Sequence, residues 1–168
     1  MKRFGYSSLV VAAVITASAV VGAEKKENES RPTAAVEHKM FDPASMVWGE
    51  GPPFLPPGVK FAVLSGDPGK KGVFTVRLRM PAGYKIPPHT HPTAELITAI
   101  SGSLHLGTGA TFDEGAGHAM PPGSFMAMPA GTKHYAWATE ETVVQVHGEG
   151  PFQIVYVNPA DDPRTAKK

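Results

Sequence analysis

The chain contains no cysteine. Disulfides, thiolate-bound metal and a cysteine nucleophile are therefore excluded together, and so is a lipoprotein anchored through a lipidated cysteine. Runs of basic charge are also missing. With 16 Lys and Arg against 15 Asp and Glu, the formal charge is +1, which gives no electrostatic footprint for nucleic acid. No glycine-rich phosphate loop precedes a helical pattern and no nucleophile elbow accompanies a Ser/His/Asp order, so a nucleotide enzyme or a triad hydrolase has no support. Helical periodicity is scarce as well. Only Phe112 to Met120 could hold a helical turn, and Gly115 and Gly117 weaken it.

Glycine and proline are abundant instead, at 18 and 17 residues in a chain of 168. Without a collagen-like period, that excess suits many short strands joined by tight turns. The length allows one domain with a proper core. Residues 1–23 read as a secretory leader: Lys2 and Arg3, an apolar run from Leu9 to Val21, then Val21-Gly22-Ala23 before a charged stretch. The run is short for a spanning helix, and an exported chain would be periplasmic or secreted. After removal of the leader the balance becomes 14 basic against 15 acidic residues. Residues 24–57 read as a linker and an extended arm with Trp48 as its anchor, residues 58–160 as the folded domain, and residues 161–168 as a polar tail.

Strands are expected at Phe61–Leu64, Val73–Met80, Glu95–Ser101, Ser103–Gly107, Phe125–Met128, His134–Thr139, Thr142–Val146 and Phe152–Val157. Val73 to Met80 alternates cleanly: Phe74, Val76, Leu78 and Met80 share one face, and Thr75, Arg77 and Arg79 the solvated other. The pattern predicts an all-β sandwich or barrel.

Chemistry concentrates in Gly83 to Gly102, which carries His89, His91 and Glu95. Imidazole nitrogen and carboxylate oxygen are the mixed ligands that divalent first-row metals accept. In one straight strand His89 and Glu95 would stand about 20 Å apart, so a common site requires a turn at Pro92-Thr93-Ala94. His134 follows a Pro-Ala-Gly turn whose glycine supplies positive φ, and the same Met-Pro-Ala-Gly opens the first cluster at Met80 to Gly83.

These two segments resemble the motifs of the cupin family. Gly83, His89, His91, Glu95 and Gly102 match every defined position of its first motif; Gly123, Pro129, Gly131 and His134 match its second, whose final Asn is here Ala138. The resemblance implies a jelly-roll barrel holding one divalent metal ion through His89, His91, Glu95 and His134. Three neutral imidazoles and one carboxylate leave Fe, Mn, Ni, Cu and Zn all open. Cupins include dioxygenases, isomerases, lyases and non-catalytic binding modules. A dioxygenase-type oxidoreductase acting on a small chelating molecule is the leading expectation, with Glu95 as a ligand that can also accept a proton. The alternatives are a non-catalytic small-ligand or metal-binding module and an isomerase or lyase.

Around the site, strand parity puts Ala136 and Ala138 beside His134 and sends Tyr135 and Trp137 outward, where an arm or a second copy must cover them; a homodimer is expected on that ground. Val143, Gln145 and His147 share one strand face. Turned inward, Gln145 and His147 would stand behind the metal or touch the substrate; turned outward, they would be solvated. His105, His118 and His38 read as bystanders, His105 exposed, and Tyr156 as core.

Overall fold

The computed structural model describes residues 38–165; the expected leader and the first part of the linker lie outside them. Eleven strands run in the order β1 Gly49–Glu50, β2 Lys60–Ser65, β3 Gly72–Met80, β4 Lys85–Thr90, β5 Glu95–Ser101, β6 Leu104–Thr108, β7 His118–Met120, β8 Phe125–Met128, β9 His134–Ala138, β10 Thr142–Gly150 and β11 Val155–Tyr156. They form two antiparallel sheets. One has six strands in the order β1-β2-β3-β10-β5-β8, the other five in the order β11-β4-β9-β6-β7. This double sheet is the expected jelly roll.

Alternation decides which side of each strand is buried. Phe74, Val76, Leu78 and Met80 of β3 face inward with Val144 and Val146 of β10 and Ile97 of β5. Ile86, Leu104, Leu106 and Ala136 close the core from the other sheet. Hydrophobic burial between two such faces is the main force holding them together.

Several expected boundaries move. β4 and β7 form where the sequence shows no strand alternation, β10 runs on to Gly150, and the strand expected over Phe152–Val157 shortens to Val155–Tyr156. The helical turn expected within Phe112–Met120 is a single 3₁₀ turn at Glu114–Ala116. The tail is tied back as far as Thr165, where Arg164 pairs with Asp162 at 2.7 Å and donates to the Ile154 carbonyl at 3.1 Å. In the arm, Trp48 receives the Arg79 guanidinium over its ring at 4.6 Å, and β1 pairs antiparallel with β2.

The outward face of β9 corrects a second expectation. Tyr135 and Trp137 point outward but are only 1% and 5% exposed. The loop after β6 covers them: Phe112 lies 5.0 Å from the Tyr135 ring and 5.6 Å from that of Trp137, and the Tyr135 hydroxyl donates to the Asp113 carbonyl at 2.8 Å. Lys85 and Glu114 pin the loop to β4 through an ion pair of 2.7 Å. His105, expected exposed, is half-buried and stacks on Trp137 at 5.0 Å. The exposed aromatic pair that suggested a homodimer therefore does not exist, because a loop of the same chain occupies that place.

Candidate metal centre

His89 and His134 are cross-strand partners on β4 and β9. Pro87 and Pro88 make that pairing possible. Neither has an N–H to give the ladder, and the β4–β9 register shifts between Ile86 and His89. The irregularity lets Ile86 and His89, three residues apart, both face the interior. His91 follows just beyond β4, where its carbonyl accepts the Gly131 N–H at 2.8 Å. Gly131 sits at φ 74° in the Pro-Ala-Gly turn that leads into His134, a conformation that glycine adopts freely. One residue thus links the two motifs.

The turn expected between His91 and Glu95 carries the chain from one sheet to the other, since β4 belongs to the five-stranded sheet and β5 to the six-stranded one. Glu95 therefore meets the histidines from across the barrel. Its carboxylate lies 3.2 Å from His134 Nε2 and 3.5 Å from His91 Nε2. Ring centroids stand 4.2 Å apart for His89 and His134, 4.9 Å for His89 and His91, and 5.3 Å for His91 and His134. One nitrogen from each of the three imidazoles falls within 4.8 Å of the others. All four side chains are buried.

Backbone carbonyls fix the tautomers. Nδ1 of His89 faces the Pro87 carbonyl at 2.7 Å, Nδ1 of His91 that of Gln153 at 2.6 Å, and Nδ1 of His134 that of Thr132 at 3.0 Å. A carbonyl only accepts, so each Nδ1 carries a proton, and Nε2 is the nitrogen of each ring that is left to meet a metal. His91 Nε2 is buried with no hydrogen-bond partner. A buried ring nitrogen without a partner, among converging imidazoles and a carboxylate, fits a site for a cation.

Electrostatics agree. Burial, reinforced by His134 and His91, pushes His89 down to about 3. Burial also lowers His91, against the pull of Glu95. For Glu95, burial alone would raise the carboxyl, but the His134 hydrogen bond and the nearby imidazoles outweigh it and hold the group below its usual range. A neutral His89 and His91 beside an ionised Glu95 have the protonation states that a divalent ion requires.

Gln145 and His147 do not join this group. Val144 and Val146 take the inward face of β10, so Gln145 and His147 lie on the outer face. There Arg77 Nε donates to Gln145 Oε1, Gln145 Nε2 meets His147 Nε2, and His147 Nδ1 meets Thr75 Oγ1, each at 3.0 Å. This corrects their reading as groups behind the metal: packing of Val144 and Val146 into the core selects the outward of the two orientations left open. His118 is exposed on β7.

What the sequence reading missed is the wall beside the histidines. Phe152 stacks on His91 at 4.3 Å with 18° between the rings. Phe54 and Leu55 of the arm line the same hollow. Tyr84 donates to the Pro56 carbonyl at 2.6 Å and Tyr156 to that of Phe54 at 2.8 Å, fixing the arm in place. The large apolar residues of the Pro-rich arm were the available signal.

The sequence model of the ChrR cupin-like domain family matches residues 36–153. No match is found among curated proteins. Similar solved structures include the polyketide cyclase RemF from Streptomyces resistomycificus, 17% identical over 76% of this chain and 91% of that one, with a TM-score of 0.59. A putative acetylacetone dioxygenase from Methylibium petroleiphilum is 17% identical over 76% and 86%, with a TM-score of 0.57. An RmlC-like cupin from Shewanella frigidimarina is 13% identical over 67% and 90%, with a TM-score of 0.52. At such identities the likeness is one of fold.

Proposed function

We propose, from the premise that the chain belongs to the ChrR cupin-like domain family, that it holds one divalent metal ion through His89, His91, Glu95 and His134 and acts there on a small organic chelator as a dioxygenase-type oxidoreductase. The observation that carries the metal reading is that backbone carbonyls hold all three Nδ1 atoms and leave three Nε2 atoms converging, that of His91 buried without a hydrogen-bond partner. The donor set suits Fe, Mn, Ni, Cu or Zn and excludes sites built on thiolate. When bound, the ion would supply Lewis acidity and, for a redox-active metal, electrons for oxygen chemistry. Glu95 remains ionised in its place and lies within reach of a proton released beside His134. The surrounding apolar walls keep bulk water from the site, which strengthens each polar interaction inside.

The activity reading is tested by metal analysis of the protein taken from its own compartment, followed by oxygen uptake with small diketones, enediols and flavonols. Uptake dependent on Fe, Mn or Ni supports it; no consumption by any metal form overturns it. A second reading, a non-catalytic binding module, is favoured by the small space beside the histidines, about 30 and about 50 Å³ in two hollows. The solved relatives do not decide, since a polyketide cyclase and a putative dioxygenase share the fold.

We propose export as well, on the leader pattern over residues 1–23. Sequencing the N-terminus of the mature protein should begin at Glu24, and retention of Met1 would sink the idea.

A further inference from the structure

Both hollows beside the histidines are walled with hydrocarbon. The smaller lies among Leu78, Met80, Ile97, Leu104, Leu106 and Val144, against His89, Glu95 and His134. The larger touches His89, His91 and Glu95 and is closed by Phe54, Leu55, Phe61, Phe74, Phe152 and Ile154. Among the described residues lining either one, the three histidines and Glu95 are the only polar side chains. No lysine or arginine waits for a carboxylate or phosphate, and no hydroxyl or amide for a sugar.

That lining selects a ligand. A second charged or multiply hydroxylated group carried into these walls would lose its water and find no partner, which weakens binding. An alkyl or aryl group loses nothing and gains by burial. The four protein donors would leave a six-coordinate ion two positions, the number that a bidentate head takes up. The larger hollow measures about 50 Å³; at about 10–15 Å³ for each water-sized occupant it accepts roughly three to five heavy atoms.

Phe54 and Leu55 set that limit from outside the barrel. They belong to the Pro-rich arm, whose turn is closed by Gly51 N–H to the Val59 carbonyl at 2.9 Å and Leu55 N–H to that of Pro52 at 3.0 Å. The Tyr84 and Tyr156 hydroxyls then hold the carbonyls of Pro56 and Phe54. A wall tied by four hydrogen bonds is a fixed boundary to the hollow.

We infer that the larger hollow seats the apolar part of the ligand: the molecule taken is a small bidentate oxygen chelator with a short uncharged alkyl or aryl arm, and Phe54 determines how long that arm can be. The inference rests on the metal reading above.

Calorimetric titration of the zinc-loaded protein with straight-chain hydroxamic acids of increasing length tests it, with succinohydroxamic acid as the carboxylate-tipped control. Affinity should rise about fourfold per methylene while the tail fits, over roughly the first four carbons, then level off or fall. The carboxylate-tipped chelator should bind at least about tenfold more weakly than the alkyl one of equal length, because its charge has no partner. Phe54→Ala should move the turning point to longer tails. If that variant fails to fold, Phe54→Leu, which keeps an apolar cover, should move it less but in the same direction. Affinities independent of tail length, equal binding of the carboxylate-tipped probe, or an unmoved turning point in a folded variant would each overturn the inference while zinc uptake left the metal reading standing. Failure to take up zinc at all would overturn both.

Discussion

Two histidine-bearing clusters face opposite ways across the six-stranded sheet, and their difference shows what prepares imidazoles for a metal. Inside, His89, His91 and His134 spend their Nδ1 protons on backbone carbonyls and aim their Nε2 atoms at one another. Outside, His147 spends both nitrogens on side chains. Arg77 Nε must donate to Gln145 Oε1, so the Gln145 amide donates to His147 Nε2, and Nδ1 is left to donate to Thr75. The inner histidines are buried, are positioned by main chain and turn their remaining nitrogens toward one another and Glu95. The outer one has both nitrogens bonded and is held by side chains alone. A histidine is thus prepared for ligation less by its neighbours in sequence than by what occupies its second nitrogen.

The sharpest way to break this contrast is by metal affinity. His134→Ala should lower it more than about a hundredfold, since the loss of a group merely supporting a ligand already costs 10- to 100-fold. His147→Ala should change it by less than about twofold, because that side chain never reaches the ion. Competition with a chromophoric chelator measures both. Equal losses in the two variants would refute the separation of the clusters.

Acid should act on the inner cluster in the same direction. In the metal-free protein, His89 is held down to about 3 and His91 is also lowered, chiefly by burial. Above about pH 6.5 neither the folded nor the unfolded chain protonates these rings, so they give no pH dependence. Below it the unfolded chain binds protons that the fold refuses, and stability falls with pH by up to about 1.4 kcal/mol per unit for each group. His89 alone should cost about 2 kcal/mol by pH 5. Glu95, also held low, adds a loss of the same sign only below its usual range near 4.5. Urea titrations of the metal-free protein at pH 7.5, 6 and 5 will show this slope, and a flat profile would mean that the rings are not neutral in the fold.

Most of the inner cluster is legible in the sequence because its constraints are local. Parity pairs His89 with His91, distance forces a turn before Glu95, and Pro-Ala-Gly marks the entry to His134. The two-residue periodicity of Phe74 to Met80 likewise announces the sheet. β4 is hidden because Pro87 and Pro88 read as strand breakers, yet the register shift they cause is what turns His89 inward. Parity alone could not orient Gln145 and His147, since Val143, Gln145 and His147 alternate with Val144 and Val146 and only packing against the opposite sheet chooses the inward face. The cover over Tyr135 and Trp137 comes from a glycine-rich loop with little apolar pattern, so nothing local predicts it.

That cover gives a third kind of outer surface, buried but without ligand chemistry, and it separates stability from metal binding. A Cβ on Gly107 would lie 2.3 Å from Tyr135 Cζ. Gly107→Ala should therefore push the ring against the loop and cost about 1–3 kcal/mol by overpacking. Metal affinity should stay within about twofold, because Tyr135 and His134 point to opposite faces of β9. Thermal melts of the metal-free variant beside its chelator titration will separate the two effects.

The smallest effect belongs to the outer relay itself. Arg77, Gln145, His147 and Thr75 are all partly solvated, so water can replace each hydrogen bond that a truncation removes. A typical intramolecular hydrogen bond contributes only about 0.5–1.5 kcal/mol net, and less where water competes. Gln145→Ala should accordingly cost less than about 1 kcal/mol, even though it cuts the relay in two. Its strand position also tells a polar crossing from a packed one: the inward neighbours Val144 and Val146 are 3% and 4% exposed, and truncating either to Ala should cost about 1–3 kcal/mol through lost burial and a cavity. Denaturant midpoints for Gln145→Ala and Val146→Ala therefore test which face of β10 carries the fold. If the glutamine variant were the more damaging, the relay would be a structural keystone, and the outer histidine would owe its place to the fold as fully as the inner three.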